Sequence, residues 1–207
     1  MSVLIAIQMK WYQIARWKSV VISSTLIFAS IIGAKIWFFI ENGSFDGFSF
    51  YGAVFFALLL FFPLSKKLDI PYTYILDMCA PAGSMALAFA KVQCLRVGCC
   101  MGKTLYIDEN YMYVRFPSQI VEMVTCLLIA MTLFILSSRE TNRGKGCPYF
   151  FILYGAARFV LDFYRGETVP FALGLTAGSF WSACVLLAGV IWLVIDRKRF
   201  FKNIVKN

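Results

Sequence analysis

Residues 117–136 read PSQIVEMVTCLLIAMTLFIL, and this stretch decides the class of fold. Glu122 is the one acidic or basic residue among these positions. An α-helix of about 20 predominantly apolar residues crosses the hydrocarbon core of a bilayer. The stretch therefore predicts a membrane-spanning helix, and a carboxyl group inside such a helix requires a partner or a cavity.

The rest of the chain repeats this pattern. Of 207 residues, 60% are hydrophobic and only 15% are charged, a composition that excludes a soluble enzyme. Five more stretches are long and apolar enough to span, at residues 20–40, 49–64, 74–98, 148–163 and 171–195. We predict an all-α polytopic integral membrane helix bundle of about six transmembrane helices. It is expected to form a single membrane domain over residues 1–207.

Residues 1–18 precede the first span and carry three basic residues in an amphipathic stretch. They are expected to form a cytoplasmic N-terminal segment, with an additional interfacial helix as one interpretation. The chain has a net charge of +9, and its Lys and Arg residues gather before the first span and after the second, fourth and sixth. Because basic residues accumulate in cytoplasmic loops, both termini are predicted to be cytoplasmic. No six-residue run of like charge occurs, so no nucleic-acid partner is expected.

The residues that could bind a metal form no recognisable pattern. Histidine is absent, which removes every mechanism based on imidazole. The seven cysteines are odd in number, and Cys99 and Cys100 are adjacent without the two-residue gap of a zinc knuckle. We therefore expect no disulfide framework, no metal site and no cofactor.

Ionisable and polar residues recur at one depth of the predicted spans, in their outer halves. The residues at this depth are Lys35, Tyr51, Lys91, Arg96, Gln119, Glu122, Arg158, Asp162 and Arg165. The last three are four and three residues apart, so they share one helical face on which opposite charges can pair. We predict that Lys91, Arg158 and Asp162 surround one outer-leaflet cavity with an excess of positive charge, suited to an anion of the phosphate type. The alternative is that Arg158 and Asp162 form a structural ion pair while Arg165 extends to the lipid headgroups.

Residues 98–103, GCCMGK, separate the third and fourth spans. Gly98 and Gly102 permit a backbone turn and the close approach of a ligand, and a simple re-entrant turn is the alternative.

Five motifs in order resemble those of the bacterial prolipoprotein diacylglyceryl transferases. They are GFSFYG at 47–52, LDMCAP at 76–81, KVQCLRVGCCMGK at 91–103, FPSQIVE at 116–122 and YGAARFVLDFYR at 154–165. The similarity covers about residues 47–190. It implies a multi-pass enzyme of the bacterial inner membrane. Such an enzyme moves the diacylglyceryl group of phosphatidylglycerol to the thiol of a prolipoprotein cysteine, or to another outer-leaflet acceptor, and releases glycerol phosphate.

The resemblance also implies roles for individual residues. Lys91 stands where the family has an essential Arg, Arg158 and Arg165 match two later arginines, and Asp162 stands for a Glu. Together with Tyr51, the residues Lys91, Arg158 and Asp162 are predicted to be catalytic. Gly98, Gly102, Gln119, Glu122 and Arg165 are predicted to bind substrate.

The chain also departs from the family pattern. Tyr51 and Phe116 occupy positions where typical members have His, Gln93 replaces a Gly, and Cys99 falls where many members have Glu. The GCCxG turn and Tyr51 together indicate a divergent branch. Either Tyr51 or Glu122 is a candidate base, and Tyr51 is also interpreted as orienting the phosphate through a hydrogen bond. A lipid or anion translocator and an inactive partner subunit are the competing functions.

Overall fold

The computed structural model describes residues 2–107, 113–165, 170–172 and 174–206, and these are dominated by helices. The helices are α1 (Ser2–Trp11), α2 (Trp17–Asn42), α3 (Phe50–Leu68), α4 (Tyr72–Val97), α5 (Ser118–Ser138), α6 (Gly146–Asp162) and α7 (Ala177–Lys206). Two small antiparallel hairpins accompany them, β1 (Thr104–Ile107) with β2 (Tyr113–Arg115) and β3 (Pro170–Ala172) with β4 (Leu175–Thr176). The predicted all-α membrane bundle is confirmed.

In the part of the chain that the structure describes, five helices are long and apolar enough to cross a membrane, namely α2, α3, α4, α5 and residues Ala177–Arg197 of α7. Helix α6, the fifth predicted span, has 17 residues. The spanning helices expose large apolar side chains, such as Phe28, Leu59, Leu128 and Ile191. A water-soluble protein would leave few such side chains together on its surface, whereas lipid solvates them. The chain is therefore a multi-pass membrane protein.

The last predicted span differs from the structure at its beginning. Residues 171–195 were predicted to be helical, but α7 begins only at Ala177. The residues just before it pair as β3 and β4, with the partners Pro170 and Thr176 at the open end of the hairpin. Short strands of two or three residues produce no periodic signal in a sequence, so the apolar character of this stretch was interpreted as helix.

The chain divides into two compact units, and each is described by itself. The first contains residues 1–82 and 134–147. Within it α2 packs against α3 at two glycines, because a Cβ atom at Gly33 would lie 2.5 Å from the carbonyl oxygen of Gly52. Close approach at small residues is a common way for transmembrane helices to associate. The prediction of a single domain over residues 1–207 stays a prediction.

In this unit the predicted segment 1–18 consists of a short helix, a break and the start of the next helix. Helix α1 ends at Trp11, and α2 already begins at Trp17. Ile5 and Met9, four residues apart on one face of α1, are completely buried, whereas Val3 is 72% exposed. Helix α1 therefore has one packed and one open face, but apolar Val3 and Ile7 lie on the open face and polar Gln8 is buried, so the amphipathic pattern that was expected is not seen.

Asp77 is the buried acidic residue of the first unit, and it binds residues far away in the sequence. Its carboxylate accepts hydrogen bonds from the Tyr12 hydroxyl, at 2.8 Å, and from the backbone N–H groups of Gly144 and Gly146. A negative charge is favourable at the start of a helix, and α6 starts at Gly146. Asp77 thus caps the N-terminus of α6 rather than that of its own helix.

The second unit contains residues 83–133 and 148–207. Here α6 packs closely on α7, because a Cβ atom at Gly155 would lie 2.9 Å from the carbonyl oxygen of Ser182. Helix α4 is joined to α5 by a hydrogen bond of 2.8 Å from the Ser84 hydroxyl to the Cys126 carbonyl oxygen. These contacts bring the parts of α4, α5 and α6 that carry the predicted site residues into one unit.

Candidate active site

Glu122 is the centre of the charged cluster in the second unit. Its carboxylate pairs with the Lys91 ammonium through Oε2 and with the Arg158 guanidinium through Oε1, and Arg165 Nη1 lies 4.0 Å from Oε1. Glu122 is 5% exposed, and the three cationic side chains are mostly buried. Helices α4, α5 and α6 therefore each contribute a charged side chain to one point, with Arg165 following directly after α6.

The cluster has an excess of positive charge. Lys91, Arg158 and Arg165 bring three formal positive charges, and Glu122 and Asp162 bring two negative charges, so one positive charge remains. Ion pairs through Glu122 link the predicted residues Lys91, Arg158 and Asp162 in one cluster, while the cavity expected among them stays a prediction. A cluster of two guanidinium groups and one ammonium group can bind the oxygens of a phosphate ester.

Asp162 has a different set of partners from Glu122. Its Oδ2 accepts hydrogen bonds from the hydroxyl of Ser179, at 2.7 Å, and from that of Thr176, while Arg158 Nη2 lies 3.8 Å from Oδ1. The Thr176 hydroxyl also accepts a hydrogen bond of 3.1 Å from the Ser179 backbone N–H, which is the contact that an N-cap residue makes. Asp162 therefore joins the end of α6 to the start of α7.

The first turn of α7 fits closely over this carboxylate. A Cβ atom at Gly178 would lie only 2.6 Å from Asp162 Oδ1. These contacts are those of a positioning residue. The catalytic role assigned to Asp162 by resemblance stays a prediction.

The turn at residues 98–103 is held onto the start of α5. The Gln119 side-chain amide donates a hydrogen bond of 2.7 Å to the Cys99 carbonyl oxygen, and the Ser118 hydroxyl donates one of 2.5 Å to that of Cys100. Gln119 thus positions the turn in this structure, while its predicted role in binding substrate is untested. Because Glu122 lies one turn further along α5, the turn and the charged cluster are parts of one local framework.

The two glycines of the turn serve different purposes. Gly98 adopts a φ of 72°, in the left-handed region that favours glycine, and reverses the chain after α4. A Cβ atom at Gly102 would lie 2.5 Å from the Phe116 carbonyl oxygen and 2.9 Å from that of Tyr164. The close approach at Gly102 is therefore made by the chain itself. The substrate-binding roles of both glycines remain predictions.

A cleft with about 220 Å³ of open space lies beside the Glu122–Arg158 pair. Residues of α5 and α6 line it: Glu122, Thr125, Cys126, Tyr154, Ala157, Arg158 and Leu161. Its charged end is formed by Glu122 and Arg158, and the remainder of the lining is apolar or weakly polar.

Two further residues of the sequence analysis lie in the first unit. Tyr51 lies in the first turn of α3 and packs edge-on against the ring of Phe50, with centroids 5.6 Å apart. Lys35 donates a hydrogen bond of 2.5 Å to the Phe45 carbonyl oxygen and lies 4.2 Å from the ring centroid of Phe48. The catalytic role of Tyr51 is not tested by these contacts.

Sequence reasoning missed the hydroxyl partners of Asp162. Thr176 and Ser179 are spaced as an N-cap residue and the third helical residue, a recognisable signal for the start of a helix. The signal was missed because the surrounding apolar residues were assigned to a span that began earlier.

Comparisons with known proteins identify the same family that the motifs resemble. The sequence model of the family described as prolipoprotein diacylglyceryl transferase matches residues 1–195. A phosphatidylglycerol–prolipoprotein diacylglyceryl transferase of Clostridium tetani is 26% identical over 164 residues, covering 74% of this chain and 66% of the relative. One of Acinetobacter baylyi is 30% identical over 195 residues, covering 83% of this chain and 68% of the relative. The matched part thus spans about two thirds of the length of these relatives.

Proposed function

We propose that this chain, which belongs to the prolipoprotein diacylglyceryl transferase family, transfers the diacylglyceryl group of phosphatidylglycerol to a cysteine thiol of a lipoprotein precursor or to another outer-leaflet acceptor. One observation carries the proposal: the three cations Lys91, Arg158 and Arg165 gather within 4.0 Å of the Glu122 carboxylate, in a helical membrane protein. Buried cations in a membrane persist where they serve a ligand or a relay. Here they suit the phosphate of a lipid.

The reaction makes one bond and breaks one. The acceptor sulfur attacks the glyceryl carbon that carries the phosphate, a carbon–sulfur bond forms, and the carbon–oxygen bond to phosphate breaks. The departing glycerol phosphate takes the electron pair, and the thiol proton passes to a base. Negative charge grows on the leaving oxygen, so fixed guanidinium groups in a site that excludes water lower the barrier.

In this reaction we assign the phosphate contacts to Arg158 and Lys91, with Arg165 next to them. Each is held by Glu122, and both oxygens of that carboxylate already face cations. Glu122 therefore organises the cations, and a phosphate entering beside Arg158 would compete with it for the same hydrogen-bond donors.

Tyr51 is proposed to orient the phosphate through its hydroxyl or to take the thiol proton. The two roles differ in a measurable way. If Tyr51 orients the phosphate, Tyr51→Phe raises the KM for phosphatidylglycerol at a nearly constant kcat. If it is the base, the same variant lowers kcat and changes its pH profile. A Tyr51→Phe protein with unchanged kcat, KM and pH profile would remove Tyr51 from the site.

A reconstituted assay tests the function itself. The purified chain is placed in vesicles containing phosphatidylglycerol labelled in its terminal glycerol, and a peptide with a lipobox cysteine is added. We expect labelled glycerol phosphate to be released in step with lipid attachment to the peptide. A peptide with Ser at the cysteine position is the matched control and should release none.

The outcome separates the competing functions. Movement of lipid between leaflets without glycerol phosphate release would indicate a translocator and overturn the proposal. No release and no movement, under conditions in which a relative is active, would indicate a non-catalytic subunit and would overturn it equally.

We also propose that the protein resides in the bacterial inner membrane with both termini in the cytoplasm. The basic residues before the first span and after the second support this orientation. The α2–α3 connection would then face outward. A Cys substituted for the exposed Asp46, in a chain with Cys99→Ser and Cys184→Ser, should react with a membrane-impermeant maleimide in intact cells. Reaction only after permeabilisation would reverse the orientation.

A further inference from the structure

Three thiols converge at the end of α4, next to the charged cluster but with no part in it. The Sγ atoms of Cys94, Cys99 and Cys100 all lie within 4.8 Å of one another. All three cysteines are free, with Cys99 exposed and the other two partly buried. Three sulfur atoms at this separation form a group that the proposed transferase chemistry does not need.

The fold brings these thiols together by reversing the chain. After α4 ends at Val97, Gly98 and Cys100 adopt φ angles of 72° and 59°. The Cys99 backbone N–H then donates a hydrogen bond of 3.1 Å to the Cys94 carbonyl oxygen. A left-handed conformation costs a residue with a side chain roughly 1–2 kcal/mol, so the surrounding contacts must hold Cys100 in place.

Those contacts come from the start of α5. The Ser118 and Gln119 side chains donate hydrogen bonds of 2.5 Å and 2.7 Å to the carbonyl oxygens of Cys100 and Cys99. The backbone of the turn is thus fixed, and the three thiols are presented together by a prearranged loop. Preorganised ligands bind more tightly because less freedom is lost on binding.

We infer that Cys94, Cys99 and Cys100 form a three-thiolate site for one soft d10 metal ion, Zn²⁺ or Cu⁺. Metal–sulfur bonds of about 2.3 Å place three sulfur atoms around one ion about 3.8–4.0 Å apart, so the observed cluster needs to contract by less than ~1 Å. Thiolates select soft or borderline ions, and the chain contains no His that would favour other metals. The sequence alone missed the site because Cys94 is five residues from Cys99, a spacing unlike that of a zinc knuckle.

A disulfide is the competing fate of these thiols. It joins two sulfur atoms and leaves the third unused, whereas an ion uses all three. A bound ion would also tie the last turn of α4 to the loop that Ser118 and Gln119 hold on α5. The metal site is independent of the proposed transferase activity and is tested without it.

The test uses the full chain, purified in detergent without a metal-affinity step, reduced and freed of metal with a chelator. Zn²⁺ is titrated in competition with a chromophoric chelator, and Cu⁺ is titrated without oxygen in the same way. We expect one ion per chain and a sulfur-to-metal charge-transfer band. Cys94→Ser, Cys99→Ser and Cys100→Ser should each weaken binding by more than the roughly 10–100-fold that outer-shell changes cause. Cys184→Ser, at an exposed cysteine outside the cluster, is the matched control and should bind as the wild type does.

A second measurement avoids variants that fail to fold. The wild-type chain is treated with maleimide with and without the ion, and labelled cysteines are mapped by mass spectrometry. The ion should protect the three cluster cysteines and leave Cys184 labelled. Three results would each overturn the site. They are cysteine labelling that neither ion changes, metal binding that none of the three variants weakens, and a disulfide at Cys94 in protein isolated without reductant. The ion that protects at the lower concentration is the one the site prefers.

Discussion

Asp77 and Glu122 are both carboxylates buried in apolar helices, yet their partners are of opposite kinds. Asp77, in the first unit, accepts hydrogen bonds from a phenol and two backbone N–H groups. Among the described residues it forms no ion pair. Glu122, in the second unit, is surrounded by Lys91, Arg158 and Arg165.

The difference separates a structural role from a functional one. Neutral donors satisfy Asp77, and they connect the residue after α1, helix α4 and the start of α6. The cationic side chains around Glu122 can release it and bind another anion, because they remain charged when they move. A buried carboxylate with backbone partners therefore indicates a cap, whereas one with several flexible cations indicates an anion site.

The largest expected effect follows from removing a cation on the Glu122 side. Arg158→Ala should lower turnover about 10²–10³-fold, the usual loss for one donor to a developing oxyanion. Arg158→Lys keeps the charge but loses the planar guanidinium, so it should retain phosphatidylglycerol binding and lose most turnover. Both quantities are measured per folded molecule in vesicles.

Loss of Arg158 also leaves Glu122 and Asp162 with one cation fewer, and breaking such a buried pair costs about 3–5 kcal/mol. Arg158→Lys, which keeps a cation beside Glu122 and Asp162, is the control for this effect. It should restore protein yield without restoring activity. Wild-type turnover in a folded Arg158→Ala protein would refute the role of Arg158.

A smaller effect, on stability, is expected at the first turn of α7, which packs against Asp162. Gly178→Ala places a methyl group against the carboxylate, which lies 2.6 Å from the Cβ position, and should cost about 1–3 kcal/mol of unfolding free energy. Gly83→Ala, in α4, is the matched control, because no atom lies within 4 Å of its Cβ position. It should be neutral or slightly stabilising. Equal melting temperatures for the two variants would show that Asp162 is not held by the first turn of α7.

The smallest effect is expected from changing a hydrogen-bond partner of Asp77. Tyr12→Phe removes one hydrogen bond to the carboxylate and should cost roughly 1–2 kcal/mol without changing turnover per folded molecule. Burial, and then the neighbouring Asp77, raise the pKa of Tyr12 above its ordinary range. Between about pH 8 and pH 11 the unfolded chain therefore loses this proton first, and stability falls as the pH rises.

The Phe variant lacks the titrating phenol, so its stability should fall less over this range. Thermal unfolding of both proteins in detergent at the two pH values measures the difference. Parallel losses of stability would show that Tyr12 does not titrate differently in the folded and unfolded protein.

The sequence was sufficient to predict the helices and the grouping of their charged residues, because both depend on position along apolar stretches. Lys91, Glu122 and Arg158 could be expected at one depth by counting residues from the ends of their helices. The sequence did not reveal which carboxylate the cationic side chains pair with. Asp162 was the expected partner of Arg158 by its spacing of four residues, whereas Glu122, 36 residues away, makes the closer contact.

Other features depended on long-range packing that no local pattern encodes. The partners of Asp77 come from residues 12 and 144–146, and the third thiol beside Cys99 and Cys100 is supplied by a helix that the turn folds back on. The small hairpins were missed because strands of two to four residues are too short to show alternation.

A side-by-side comparison of Glu122→Gln and Asp77→Asn tests the central claim most directly. Both changes replace a buried carboxylate with an amide of the same shape, and each protein is reconstituted with labelled phosphatidylglycerol and the lipobox peptide. Glu122→Gln leaves Lys91, Arg158 and Arg165 without their shared carboxylate, so it should lose stability and, per folded molecule, about 100-fold in glycerol phosphate release. Asp77→Asn should lose about 1–3 kcal/mol of stability and keep wild-type release per folded molecule. Full release by Glu122→Gln, together with loss of release by a stable Asp77→Asn protein, would contradict the account.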